Sequence, residues 1–273
     1  CRRHGRGSTR VTAVTAVVLT FNEEPNIGRT LESLRTIPHV VVVDSGSTDR
    51  TEEIARSFSN VSWFVRPFDE HVKQWRFALE ETGIESPFVL ALDADMSVTP
   101  YLVSEIAQVI SEGGVDAGLI PVEYRIRGVA LVGSLYPPEL RLLRRSAASV
   151  MAAGHTQKFV TTGRIANLRN ELVHDDRKSL ERFAQAQLGY SARELSPLLE
   201  GRDVRLRARL RRSFPFTPIL VWAWAWLRSG GPLRGAAARR YALERLLYEA
   251  MLRWRVEDAN LSQKSTKSGS REA

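Results

Sequence analysis

Residues 88–97 read FVLALDADMS, an apolar run that stops at two aspartates separated by one alanine. Phe88 to Leu92 has the β-branched and aromatic content of a strand buried on both faces. Asp93 and Asp95 then stand where that strand leaves its sheet. Two carboxylates held near one point repel each other and call for a cation beside them. A hard divalent metal, held by one or two carboxylates and completed by substrate phosphates, is the expected partner. Alone the spacing is a weak signal, because an exposed turn tolerates it. Its weight comes from what precedes it.

Two earlier strands end in the same manner. Val14 to Leu19 runs into TFNEEPNIG, and Val41 to Thr51 reads VVVDSGSTDRT. Pro25 suits the first turn of a helix that Asn22 can cap, with Ile27, Leu31 and Leu34 on its apolar face. Ser47 or Asp49 caps a second helix with Asp49, Glu52 and Glu53 in its acidic first turn. Val61 to Val65 is a third strand, Glu70 to Glu81 a helix, and a further helix opens at Pro100. This alternation predicts an α/β fold, a mostly parallel sheet with helices on its faces. Ligands of such sheets bind outside the carboxyl ends of the strands. Thr20 to Glu23, Asp44 to Thr48 and Asp93 to Asp95 share that edge. Stability explains three such clusters poorly, because a carboxylate gains little there unless something pairs with it.

From about Val115 the pattern changes to short β-like pieces, Ala117 to Tyr124, Leu140 to Leu143 and Ile165 to Val173, ending at LVHDD. A boundary is expected near Leu199. It separates a domain over 11–199, with halves of about 11–112 and 113–199, from a basic, tryptophan-rich helical region over 200–260. The polar residues 261–273 read as a disordered tail. The 273 residues suffice for one large α/β domain with an appendage.

The net charge is +8, and nearly all the cations are arginine, the lysines being Lys73, Lys158, Lys178, Lys264 and Lys267. Such a balance favours anionic partners: phosphates, nucleic acid or an acidic membrane surface. The single cysteine, Cys1, excludes an intrachain disulfide and fits a reducing compartment. A leading cysteine suits a lipidated protein, but CRRHGRG reads better as a truncated start. No signal peptide is expected, because Val11 to Leu19 continues directly into a strand and loop.

TFNEEPNIGRTLESL, VVVDSGSTDRTEEIA and LALDADMSVTP, in this order and spacing, resemble the nucleotide-sugar-binding half of family 2 glycosyltransferases of the GT-A fold. Among these, the wording is similar to bacterial enzymes that build lipopolysaccharide core and related surface glycans. The resemblance implies metal-dependent, inverting transfer from a nucleotide-diphosphate sugar, with UDP or a similar nucleotide, to a glycan or lipid-linked acceptor. It implies that Asp44 hydrogen-bonds the base and that Thr20, Asn22, Glu23 and Ser45 line the base and ribose pocket. Asp93 would face the ribose or the metal, and Asp95 would ligate Mg²⁺ or Mn²⁺ across the diphosphate. A metal there stabilises charge developing on the leaving group. Ser45 to Thr48 also read as a turn and helix cap. His174 would complete the metal shell or be hydrogen-bonded at a strand end. The half from 113 would cover the acceptor side.

Two positions depart from the family pattern. After Gln74 and Trp75 stands Arg76, either a cation for the phosphates or a solvated helix residue. In LRLLRRSAASVMAAGHTQ, Leu140 to Gln157, His155 matches the family but Thr156 replaces its glutamate. Deprotonating the acceptor hydroxyl then falls to His155, or to Glu139 or Glu123. The alternative is a noncatalytic nucleotide-sugar-binding scaffold of the same fold. The chain has neither the glycine-rich phosphate loop of a nucleotidyltransferase nor the G-x-G-x-x-G of a dehydrogenase.

Arg202 to Arg212 reads RDVRLRARLRR, and the 14-residue apolar run Phe214 to Leu227 follows. It falls short of the roughly 20 residues that span a bilayer, and Pro215 and Pro218 interrupt it. Trp222, Trp224 and Trp226 beside a basic run suit a membrane interface. Ala236 to Arg255 reads as an amphipathic helix with Leu243, Leu246, Leu247, Ala250, Met251 and Trp254 on one face. These segments predict attachment to an anionic membrane surface, peripheral on the cytoplasmic face of the bacterial inner membrane. The other reading packs them on the catalytic domain with the arginines solvated. Nucleic acid is not an expected partner, because no recognised binding motif accompanies the arginines.

Overall fold

The computed structural model describes residues 12–153, 156–201 and 206–269. These form two compact units, one comprising the chain up to Ala130 with Tyr136–Arg177, the other Leu131–Leu135 with the chain from Lys178.

In the first unit β1 (Val14–Thr20), α1 (Ile27–Ser33), β2 (His39–Asp44), α2 (Thr51–Arg56), β3 (Val61–Val65), α3 (His71–Glu80) and β4 (Phe88–Asp93) alternate as the apolar pattern predicts. Then come β5 (Met96–Ser97), α4 (Pro100–Glu112), β6 (Ala117–Ile120), β7 (Val122–Ile126), β8 (Val129–Ala130) and β9 (Glu139–Arg144). The unit ends with β10 (Ala148–Ala153), β11 (Thr156–Thr161), β12 (Ile165–Asn167) and β13 (Leu172–His174).

Seven strands make the central sheet in the order β12-β6-β9-β4-β1-β2-β3. Strands β1 to β4 are mutually parallel, and β9 runs against both β4 and β6. Successive side chains of a strand face opposite sides, and here both sides are covered. Continuous apolar runs therefore stand where a half-exposed strand would alternate polar with apolar. Val40 and Val42 pack in one apolar layer with Ile27, Leu31 and Ala55, while Val41 and Val43 pack in the other with Trp75 and Ala78 of α3. Thr20 pairs with Asp44, and Asp93 with Leu19 one residue earlier, so three strand ends share one edge of the sheet. The order reverses at β1, which opens a crevice between the ends of β1 and β4.

A smaller sheet, β5-β13-β7-β8, lies beside this edge, with β13 antiparallel to β5 and parallel to β7. The β10–β11 hairpin, which the sequence reading does not include, lays Phe159 edge-on to Trp75 at 5.0 Å.

The second unit is helical: α5 (Leu180–Leu199), α6 (Leu206–Ser213), α7 (Thr217–Arg228), a 3-10 turn at Gly231–Arg234, and α8 (Gly235–Gly269). The division falls between Arg177 and Lys178, so the boundary expected near Leu199 is displaced to the other end of α5. The cause is packing, since Leu198 of α5 is buried with Ala208, Tyr248, Leu252 and Val256. The tail expected to be disordered from 261 is helical as far as Gly269. Arg211 lies in this interior and donates from Nε to Glu249 at 2.9 Å. Helix α7 buries small or compact residues, Thr217, Pro218 and Ala225, and exposes large ones. Phe216, Leu220, Trp224 and Leu227 are each more than half exposed and recur at helical spacing along one face. No helix among the described residues is long and apolar enough to cross a membrane.

Candidate active site

The loops after β1 and β2 are tied to each other. Asn22 has a left-handed backbone, φ 55°, which asparagine tolerates better than most residues. Its Oδ1 accepts from Thr48 N at 2.7 Å and Asp49 N at 3.3 Å, while its own N–H donates to Ser47 Oγ at 2.7 Å. Glu23 N donates to Thr51 Oγ1 at 2.7 Å, and Ser45 N to Thr20 O at 3.0 Å. Asn22 therefore stitches two loops and does not cap α1, whose cap position is Asn26. Ser47 likewise caps no helix. Asp49 accepts from Thr51 N at 3.1 Å, although Arg50 holds the cap position of α2.

Asp44 is buried, and its carboxylate serves this loop. Oδ2 accepts from Gly46 N at 2.9 Å and Ser47 N at 2.7 Å, and Oδ1 accepts from Ser47 Oγ. Thr20 Oγ1, level with it, is buried with no hydrogen-bond partner among the described residues. Ser45 Oγ accepts from Gln74 Nε2 at 3.2 Å, and Gln74 Oε1 accepts from Arg66 at 2.7 Å. Gln74 and Arg66 thus flank the strand ends, a role the sequence reading did not assign them.

The Asp93–Asp95 loop is held from α1, where Thr30 Oγ1 donates to Ala94 O at 2.7 Å and Ser33 Oγ accepts from Val98 N at 3.1 Å. Pairing of β13 with β5 then delivers His174, whose Nε2 lies 3.5 Å from Asp95 Oδ2. Tyr124 stacks on this imidazole at 4.6 Å, and His174 Nδ1 is buried with no hydrogen-bond partner among the described residues. Asp175, next in sequence, binds Arg29 at 3.0 Å and Arg177 at 2.8 Å, fastening the end of β13 to α1.

Asp93 has a cationic partner absent from the sequence reading. Arg141 of β9, with a side chain only 7% exposed, donates from Nη2 to Asp93 Oδ2 at 2.9 Å. The same guanidinium donates from Nε to Glu139 Oε2 at 2.7 Å. The surrounding protein works against the charge on Asp93, but Arg141 outweighs it and holds the carboxyl below its ordinary range. Burial works against Arg141 too, and Asp93 and Glu139 outweigh it, raising the guanidinium above its ordinary value.

Of the remaining expected site residues, Arg76 is not brought to this edge. Helix α3 runs back along the sheet, so Arg76 lines a cavity of about 410 Å³ with Leu79, Val89, Leu143 and Phe159. Val89 is four residues before Asp93, and that length of strand spans about 13 Å. His155 lies outside the described residues. Glu139 is engaged by Arg141 and Glu123 by Arg125.

The three strand ends, the tied loops and the Asp95–His174 pair make a polar edge at the carboxyl end of the sheet. The Glycosyl transferase family 2 model matches residues 15–163, more than half the chain and all of these strand ends. The chain belongs to glycosyl transferase family 2. Its fold is α/β, with the mostly parallel central sheet described above. Among curated relatives, the lipopolysaccharide core biosynthesis glycosyltransferase LpsC of Rhizobium meliloti is 29% identical over 59% of this chain and 62% of its own length. Glycosyltransferase AglE of Haloferax volcanii is 37% identical over 38% of this chain and 37% of its own. The chain therefore spans less than two thirds of the length of these relatives. A solved structure of S. aureus TarS in complex with UDP-GlcNAc is 16% identical, covers 92% of both chains and superposes with a TM-score of 0.49.

Proposed function

We propose that this family 2 member is an inverting glycosyltransferase acting in cell-surface polysaccharide or lipopolysaccharide synthesis. It takes a sugar from a nucleotide-diphosphate donor and gives it to a glycan or lipid-linked acceptor. The observation that carries this reading is the placement of Thr20, Asp44 and Asp93 at one edge of the sheet, beside the Asp95–His174 pair. The name of the rhizobial relative supports the glycan class.

Acceptor counting at Asp44 supports a uridine nucleotide. A carboxylate offers about four lone-pair sites. Two backbone N–H groups occupy Oδ2 and the Ser47 hydroxyl occupies one site on Oδ1. One site remains, which suits a base that donates a single N–H, as uracil does. Guanine presents two adjacent donors and would need the loop to give up a bond.

Asp95 and His174 fit a divalent cation, Mg²⁺ or Mn²⁺, as two ligands of a shell completed by diphosphate oxygens. No cluster of three His, Cys, Asp or Glu occurs among the described residues, and Asp93 is occupied by Arg141. When bound, the cation would neutralise charge on the departing diphosphate. Asp93 and Asp44 would orient ribose and base. With Glu139 and Glu123 both ion-paired, His155 is the proposed general base. The second unit would rest on an anionic membrane at the cytoplasmic face of the bacterial inner membrane, with the exposed side of α7 and its flanking arginines in contact. Thr156, standing where the family's glutamate is expected, favours one competing reading, a scaffold that binds the donor without turnover.

A thermal-shift panel of nucleotide sugars with and without Mn²⁺, followed by nucleotide release, tests the proposal, since a ligand of the native state raises its stability. Stabilisation by uridine diphosphate sugars that requires Mn²⁺, with release of UDP on adding acceptor, is expected. Stabilisation without release on any acceptor would favour the scaffold, and no stabilisation by any nucleotide would sink both.

A further inference from the structure

We propose that Arg141 is the fixed counter-ion of this site, a positioning residue that holds Asp93 towards the donor and out of the metal shell. Asp93 Oδ2 lies 2.9 Å from Arg141 Nη2, and Glu139 Oε2 lies 2.6 Å from the same nitrogen. Two carboxylate oxygens thus share one nitrogen, and they can be no farther apart than those two contacts laid end to end. Carboxylates this close repel unless a cation stands between them. The guanidinium is that cation. It is anchored by its own burial, by a fork geometry that engages two acceptors at once, and by a longer contact from Nη1 to Ala91 O at 3.4 Å. Lysine, a point charge on a flexible stem, cannot supply that fork.

The placement follows from the sheet. β9 lies against β4, with Leu90 opposite Leu142, so Arg141 reaches the backbone of Ala91 and the side chain that ends β4. Its neighbours Leu140 and Leu142 pack in the apolar layers on either side. A charge inside such a strand is retained only with partners, and both partners sit at the donor edge. The consequence is a division of labour between the two aspartates. Asp93 is neutralised by the protein, and a divalent cation would be held at Asp95 and His174.

The inference rests on the reading of Asp95 and His174 as cation ligands, and its test begins without nucleotide so that the two can fail separately. Mn²⁺ is titrated into the full chain by isothermal calorimetry for the parent, Arg141→Met, and Arg141→Met with Glu139→Gln. Removing the guanidinium frees Asp93, two residues from Asp95, and Glu139 with it, so Arg141→Met should bind Mn²⁺ at least about tenfold more tightly than the parent, a gain of about 1.4 kcal/mol. Adding Glu139→Gln removes one of those carboxylates and should reduce the gain. UDP binding in the presence of Mn²⁺ should fall about tenfold in Arg141→Met and recover in part in the double variant. If Arg141→Met is too unstable to titrate, thermal melting decides: a double variant that regains stability supports the counter-ion. A double variant no more stable than the single would overturn it, as would a folded Arg141→Met whose Mn²⁺ affinity equals the parent's. Absence of UDP binding in the parent would sink the donor assignment alone, because the Mn²⁺ comparison stands without nucleotide.

Discussion

Replacing Asp44 separates its structural task from any contact with a base. The Asp44→Ala change removes the acceptor of three hydrogen bonds, from Gly46 N, Ser47 N and Ser47 Oγ. Gly46 is exposed and can turn to water, so its bond contributes little to the loss. The two donors of Ser47 are half-buried, and bonds to a charged acceptor are worth about 1.5–3 kcal/mol each, with the upper value reserved for full burial. A loss of about 3–4 kcal/mol follows. For a folded unit of this size that is a fall in Tm of roughly 6–16 °C. Asp44→Asn should cost only about 1 kcal/mol. Its amide oxygen can keep both N–H donors, and its NH₂ can donate to Ser47 Oγ, whose two lone pairs also serve Asn22 N. Urea unfolding of parent and both variants reads these differences directly. Equal stability of the two variants, or an Ala variant within 0.5 kcal/mol of the parent (about the scatter of surface changes), would refute a loop-anchoring Asp44.

Three further outcomes are expected. Asp95→Asn should leave the melting curve near the parent's while abolishing Mn²⁺-dependent UDP binding; unchanged metal-dependent affinity by calorimetry would remove Asp95 from the shell. Gly118→Ala should cost about 1–3 kcal/mol in urea unfolding, because its Cβ would meet Leu168 Cδ1 at 2.9 Å and Leu142 Cβ at 3.0 Å; a neutral result would mean that this layer is loosely packed. Leu220→Glu with Trp224→Glu should release the protein from vesicles rich in anionic lipid without changing UDP binding. Parent protein that fails to float with such vesicles at low salt would refute membrane contact, and a parent dimer lost in the double variant would identify a second copy as the partner of that face.

The strands β1, β2 and β4 were legible because burial on both faces leaves continuous apolar runs, and their abrupt polar ends marked the edge. The Asp95–His174 contact was not legible from spacing: it depends on β13 pairing with β5, His174 opposite Met96, from a distant part of the chain. Only the family resemblance pointed to that histidine. Arg141 left a signal that went unused, a charge flanked by leucines in a strand, which demands buried partners. Asn22 and Ser47 were misread because a polar residue ahead of a helix resembles a cap, whereas here tertiary bonds between two loops claim those side chains. Arg76 was misplaced for a geometric reason. A helix crossing over between parallel strands runs back from the carboxyl edge, and Arg76 is already too far along α3. The C-terminal division also depended on packing, since nothing in the composition of α5 reveals that Leu198 meets Tyr248 and Leu252.

The bonds between the loops bear on how a ligand is recognised. Flexible loops that close on a ligand lose conformational freedom at that moment, at about 1–2 kcal/mol for each backbone residue fixed. Here Asn22, Glu23, Ser45 and Ser47 are already bonded across the two loops, so folding has met that cost before any ligand arrives. Preorganisation of this kind favours binding by lowering its ordering cost. It also narrows what can bind, because most acceptors are already taken. Thr20 Oγ1, buried without a partner among the described residues, is one group at this edge with hydrogen-bonding capacity in hand. Recognition at the edge must therefore rest on few polar contacts at fixed positions.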